Sequence, residues 1–187
     1  EALGDCLPYM DHSEKYQIGR QLRSITQRIN QPFPGFPSSD VIWDRTRWKR
    51  WHSYPVSFQQ EREAYLKRRS FGPRVFVHGD LNGDNLFLGK TGGLSLLDFA
   101  DAVLAPEEYE HALVACELFG FDSACLEGYF GAIPYEELAQ LCLDGLLIHD
   151  FGGDILAQRL CPARELVGLA PLYHRLLQAL QQGGSGR

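Results

Sequence analysis

"VFVHGDLNGDNLFL", residues 75–88, is the stretch whose reading decides the fold. It opens as a strand, VFVHG, and closes as one, NLFL, around a polar loop that holds Asp80, Asn82, Asp84 and Asn85 and no basic residue. Asp and Asn serve turns well, but turn-making does not account for the spacings. Asp80 precedes Asn85 by five residues, as D-x-x-x-x-N. NLFL is followed by GKTGG and then LSLLDF, the pattern of a β-hairpin. A hairpin returns the chain to its start, so Asp98 at the far end can lie beside Asn85, with Asp80 on the same rim.

A carboxylate standing apart from a carboxylate–amide pair suits one kind of chemistry. Hard divalent cations take oxygen ligands, and Mg²⁺ commonly uses one or two protein carboxylates plus substrate phosphates. Asn85 and Asp98 meet that need. Phosphoryl transfer to an alcohol also requires a group that orients the hydroxyl and accepts its proton, and Asp80 is placed for it. The protein-kinase signature shares the D-x-x-x-x-N followed by a metal-binding Asp-Phe-Gly; Asp98-Phe99-Ala100 takes that place here.

The flanks are helical. A cap at Ser13 with Glu14 precedes a stripe of Tyr16, Ile18, Leu22, Ile25 and Ile29 that runs to about Asn30. QPFPGFPSSD breaks it, and further helices are expected over about 39–51 and 57–69. After Pro106 the chain reads helical at about 107–119, 122–130, 135–149, 153–160 and 163–181, with Pro134 and Pro162 suited to first turns. The expected fold class is therefore mainly α with a small β-hairpin element (α+β).

The 187 residues suit one domain or one lobe. With 44% apolar and 22% charged residues the composition is globular, and a net charge of −6 argues against nucleic-acid binding. The five cysteines are odd in number and lack CxxC spacing, as expected of reduced thiols in a cytoplasmic protein. No run of eighteen apolar residues predicts a membrane helix, and the N-terminus has no signal-peptide pattern.

VHGDLNGDNLFL and LLDFADA together resemble the aminoglycoside phosphotransferase and choline kinase family of small-molecule kinases. The resemblance extends over about residues 3–150. EKYQIGRQLRSI looks like the family helix after the inter-lobe hinge, and APEEYEHALVA like its acidic helix start after the metal loop. Gly79, where protein kinases usually carry Arg, favours the small-molecule branch, and no Ala-Pro-Glu segment is present. The resemblance implies the C-terminal lobe of the protein-kinase-like fold over 1–181, with 182–187 a flexible tail. It further implies ATP (or GTP) and Mg²⁺ as cofactors, a small-molecule hydroxyl acceptor, and an N-terminal lobe in cis. Position by position, Asp80 would be the catalytic base, Asn85 and Asp98 would hold Mg²⁺, and Phe87 and Leu97 would line the nucleotide-base pocket. His78 would bond backbone near the metal loop, and Glu110 would anchor the following helix. The chain has no G-x-G-x-x-G loop and no VAIK-type lysine, so a fragment of a larger enzyme is expected. The alternative is a kinase-like binding or regulatory module without phosphotransfer.

Other motifs have plainer readings. Asn82 and Asp84 shape the loop, and Asp101 is read as a helix or loop cap, with reach to the metal or substrate region as the alternative. WDRTRWKRW (43–51) predicts an amphipathic helix with Trp packed inward, though Trp43 or Trp51 could face substrate. HDFGGD (149–154) is a helix break rather than a second metal loop. Asp144, Asp150 and Asp154 are candidates for contacting a cationic acceptor, and His149 and His174 are ordinary surface or core residues.

Overall fold

The computed structural model describes residues 1–37 and 39–183. A short helix α1 (Leu3–Cys6) leads through the 3₁₀ turn Leu7–Tyr9 into α2 (His12–Ile29). The cap of α2 is Asp11 rather than Ser13. Asp11 is extended and its carboxylate accepts the Glu14 N–H at 2.9 Å, while the Glu14 carboxylate accepts the Asp11 N–H at 2.8 Å. This reciprocal pair satisfies two amides that would otherwise be left open at the helix start.

No α-helix forms over 39–51, where one was expected; turns lead to the 3₁₀ helix Arg47–Trp51. Local side-chain bonds explain the difference. Asp40 accepts the Ile42 and Trp43 N–H groups, and Asp44 accepts the Thr46 N–H and hydroxyl. Such bonds give the backbone an alternative to helical pairing. The aromatic packing was partly as expected: Trp51 is buried against Tyr54 and Phe58, whereas Trp43 is exposed.

Helix α3 (Val56–Arg68) precedes four strands, β1 (Val75–Val77), β2 (Leu86–Leu88), β3 (Leu94–Leu96) and β4 (Val103–Ala105). The β2–β3 hairpin forms with Leu86 opposite Leu96. Strand β4, which the sequence did not announce, pairs antiparallel with β1, Val75 opposite Ala105. The N-terminus extends the hairpin: Leu88 N–H donates to Glu1 C=O at 2.8 Å, and Gln21 on α2 donates to the turn at Gly92 C=O.

The rest is helical: α4 (Glu107–Leu113), continued by a π-helical turn Val114–Leu118, then α5 (Ser123–Phe130), α6 (Tyr135–Ile148), α7 (Gly152–Arg159) and α8 (Leu169–Gln181). The expected helix over 163–181 is interrupted, with a 3₁₀ turn Ala163–Glu165 before α8, and Pro134 and Pro162 stand one position earlier than first turns, as caps. The expected tail begins as a turn at Gln182 and Gly183; residues 184–187 lie outside the described residues. Helices α2 and α5 meet backbone to backbone. A Cβ on Gly19 would lie 2.2 Å from the Cys125 carbonyl, and one on Gly128 2.1 Å from that of Tyr16. The core runs from this crossing through α4 and α6, with Leu22, Leu113, Leu146 and Leu147 almost fully buried. Four of the five cysteines are buried and all are free thiols, as expected. Among the described residues no helix is long and apolar enough to cross a membrane.

Candidate functional site

The two antiparallel pairs converge on one rim. β1 ends at Val77, and His78-Gly79-Asp80 turn the chain out of the sheet. Gly79 adopts φ +82°, and a Cβ there would lie 2.2 Å from the Asp101 carbonyl. Neither that conformation nor that contact admits a side chain easily, which gives the glycine at this position a physical reason.

The loop is held by its own amides. Asn82 Oδ1 accepts the Asp84 and Asn85 N–H groups at 2.9 and 3.1 Å, and Asn82 Nδ2 donates to Asp80 Oδ1 at 3.0 Å. Asn85 Nδ2 donates to Asp80 Oδ2 at 2.8 Å and to the Asp80 carbonyl at 2.9 Å. Asn85 Oδ1 thus faces away from Asp80 and accepts no hydrogen bond among the described residues. Asn82 shapes the loop, as expected, and Asp84 is exposed.

The hairpin brings Asp98 to the same place. Leu97 N–H donates to the Asn85 carbonyl at 2.9 Å, so Asp98 follows directly on a residue paired with Asn85. Asp98 is exposed, adopts φ +55°, and accepts the Ala100 N–H through Oδ1. A left-handed conformation is unusual for a residue with a side chain and recurs at functional sites.

His78 ties the two loops together. Its Nδ1 accepts the Asp80 N–H at 3.2 Å, which leaves the proton on Nε2 to donate to the Leu97 carbonyl at 2.8 Å. The ring is buried and packs on Phe99 at 4.7 Å. Burial pushes its pKa down despite the nearby Leu97 carbonyl and the charges of Asp80, Asp98 and Asp101, so the imidazole is neutral. Beneath it, the fully buried Glu110 accepts the His78 N–H through Oε2. His78 and Glu110 therefore have the structural parts expected of them.

Phe87 is 36% exposed on β2, and Leu97 and Phe99 present 49% and 45% of their surfaces. Leu97 and Phe99 flank Asp98 in the chain, and Phe87 lies on the adjoining strand of the hairpin. Phe99 also stacks on Phe76, which packs against Phe33 and Phe36 of the QPFPGFP segment. That segment reads as a helix breaker from its prolines, while its aromatic pair at i and i+3, Phe33 and Phe36, is the signal for this packing.

Several candidates fall away. Asp144 is buried and bound to Tyr65, Arg69 and Gln140, so it offers nothing to an acceptor. Asp150 is paired with Arg47. His149 is buried against the Tyr109 ring at 4.0 Å. A cavity of about 970 Å³ touches the back of the loop at Asn82, Gly83 and Asp84 but is lined by none of Asp80, Asn85, Phe87, Leu97 or Asp98.

The profile described as "Phosphotransferase enzyme family" matches residues 12–141, more than two thirds of the chain. Among solved structures, an ethanolamine kinase from Plasmodium vivax is similar at 17% identity and a TM-score of 0.44; the match covers 92% of this chain and 59% of that one. A spectinomycin phosphotransferase, solved in complex with ADP and spectinomycin, is similar at 13% identity and a TM-score of 0.39, covering 93% of this chain and 66% of that one. The chain thus spans about three fifths to two thirds of the length of these structures. Comparison with curated proteins gave no match. The loop geometry and the length of the profile match lead to one assignment: the chain belongs to the phosphotransferase enzyme family.

Proposed function

We propose that this chain is the catalytic C-terminal lobe of an ATP-dependent kinase that phosphorylates a hydroxyl group of a small molecule. The observation that carries the reading is the Asn85–Asp80 pair set opposite Leu97 and Asp98. Asp80 has both carboxylate oxygens anchored by amide donors, at 3.0 and 2.8 Å. It is thereby fixed in direction, as a group that aligns an acceptor hydroxyl and takes its proton must be.

The oxygen donors fit Mg²⁺. Asn85 Oδ1 is uncommitted and the Asp98 carboxylate is exposed, so the pair supplies one carboxylate and one amide oxygen to a hard cation. Among the described residues no group of three or more His, Cys, Asp or Glu is arranged to hold a metal; a two-ligand site completed by nucleotide phosphates does not need one. When bound there, the ion would offset charge on the phosphates. Phe87 and Leu97 offer an apolar surface to the nucleotide base, and an N-terminal lobe in cis would cover the phosphates. No acceptor is favoured within the class of small alcohols, since this site design serves many.

The test is phosphotransfer from ATP by the chain joined to its N-terminal lobe, over a panel of amino alcohols, sugars and aminoglycosides. Activity should fall to background in both Asp80→Ala and Asp98→Ala. Retention of turnover in both variants sinks the mechanism.

A further inference from the structure

Arg62 on α3 is a buried cation with no acidic partner among the described residues. It is 5% exposed. Its Nε and Nη2 both donate to the Leu147 carbonyl, at 2.8 and 2.5 Å, in the last turn of α6. Its guanidinium lies over the rings of Trp51 and Trp48, at 4.5 and 5.7 Å. Helix-end carbonyls and aromatic faces each offset part of a charge, and among the described residues no carboxylate pairs with this one. Burial lowers the pKa only to about 10, so the group stays charged at neutral pH.

A cavity of about 220 Å³ is lined by Arg62 together with Trp48, Trp51, Val56, Gln59, Gln60 and Glu63. Nη1 makes no hydrogen bond among the described residues. Gln59 is tied to the Tyr54 carbonyl at 2.8 Å, whereas the Gln60 side chain is exposed at the rim. Val56 is 68% exposed and gives the mouth an apolar edge.

We propose that this cavity is a subsite for a small organic carboxylate, separate from the phosphotransfer centre and independent of its reading. The carboxylate would sit on Arg62 Nη1 within reach of the Gln60 amide, and the apolar body would lie against Val56 and the Trp48 ring. Arginine presents parallel donors that match a carboxylate. Glu63 at the rim is paired with Lys67 at 2.7 Å, and the apolar edge at Val56 and Trp48 favours an organic carboxylate over phosphate or chloride.

The chain is titrated with sodium benzoate, inorganic phosphate and sodium chloride at matched ionic strength. The readouts are tryptophan fluorescence and the ¹⁵Nε resonance of Arg62. Benzoate should give a saturable change in both, and phosphate and chloride only a linear drift. Arg62→Met should abolish saturation. Because that variant removes a helix-end partner and can fail to fold, Val56→Phe is measured beside it by NMR. It narrows the mouth from an exposed position, and should weaken benzoate binding at least tenfold with the unfolding midpoint unchanged. A linear benzoate response, saturation by phosphate or chloride instead, or full binding by folded Val56→Phe or Arg62→Met overturns the proposal.

Discussion

Asn85 donates its side-chain amide to Asp80 twice, at 2.8 Å to the carboxylate and 2.9 Å to the backbone carbonyl. One residue thus orients the proposed base with its nitrogen and leaves its oxygen free for the proposed cation. Asn85→Ala should therefore lower phosphotransfer by roughly 100-fold or more, the scale of a misplaced general base, and also weaken Mn²⁺ binding measured by electron paramagnetic resonance. Asn85→Asp should keep more of the cation affinity while still losing turnover, because a second carboxylate would face Asp80 without a donor between them. Equal loss of both properties in the two variants would contradict this division of labour.

Gly79 cannot gain a side chain without moving Asp101. Its φ of +82° and the 2.2 Å approach to the Asp101 carbonyl act together. Gly79→Ala should destabilise the fold by roughly 2–4 kcal/mol, combining backbone strain with overpacking. Urea unfolding would measure it, and a loss below about 0.5 kcal/mol, the range of neutral surface changes, would show that the loop yields easily.

His149 and His111 are buried, and both are pushed down to about 3, chiefly by burial and further by nearby arginines. As pH falls below the unfolded value of about 6.5, the unfolded chain takes up protons that the folded chain refuses until about pH 3. Their stabilising effect is present above pH 6.5 and is lost progressively on acidification. The urea midpoint should therefore drop between pH 7 and pH 5, and His149→Gln should show a shallower drop than the parent chain.

Glu110 has the opposite sign. Burial raises its carboxyl to about 7, against the lowering effect of the His78 N–H. Between its unfolded value near 4.5 and 7, the folded state holds a proton that the unfolded state has released, so stability falls as pH rises through that window. Glu110→Gln keeps an acceptor for the His78 N–H and removes the buried charge. It should stabilise the chain by about 1–3 kcal/mol at pH 8 and by little at pH 5, by the same urea assay.

The local signals were strong where a residue's neighbours in sequence decide its state. The stripe of α2, the GKTGG hairpin and the helices after Pro106 follow from periodicity and turn chemistry. Weaker local preferences lost to side-chain competition, as at 39–51, where Asp40 and Asp44 drew backbone amides out of a helix. The shift of the α2 cap to Asp11 arose because its cap bond forms with Glu14, a choice between two nearby candidates that spacing alone does not make.

What the sequence by itself determined is the chemistry at the rim: an aspartate, an amide five residues on, and a second aspartate returned by a hairpin of known turn type. These are short-range relations, fixed by backbone reach and strand geometry. Only the tertiary structure decided how the rim is held. β4 closes on β1 across some 25 residues, His78 joins Asp80 to Leu97, Glu110 takes the His78 N–H from below, and Asp101 presses on Gly79. Arg62 belongs to the same class, since its place between two tryptophans and a helix end exists only after α3 and α6 have packed. Each of these depends on burial and close approach between distant segments, which no local pattern of residue types encodes.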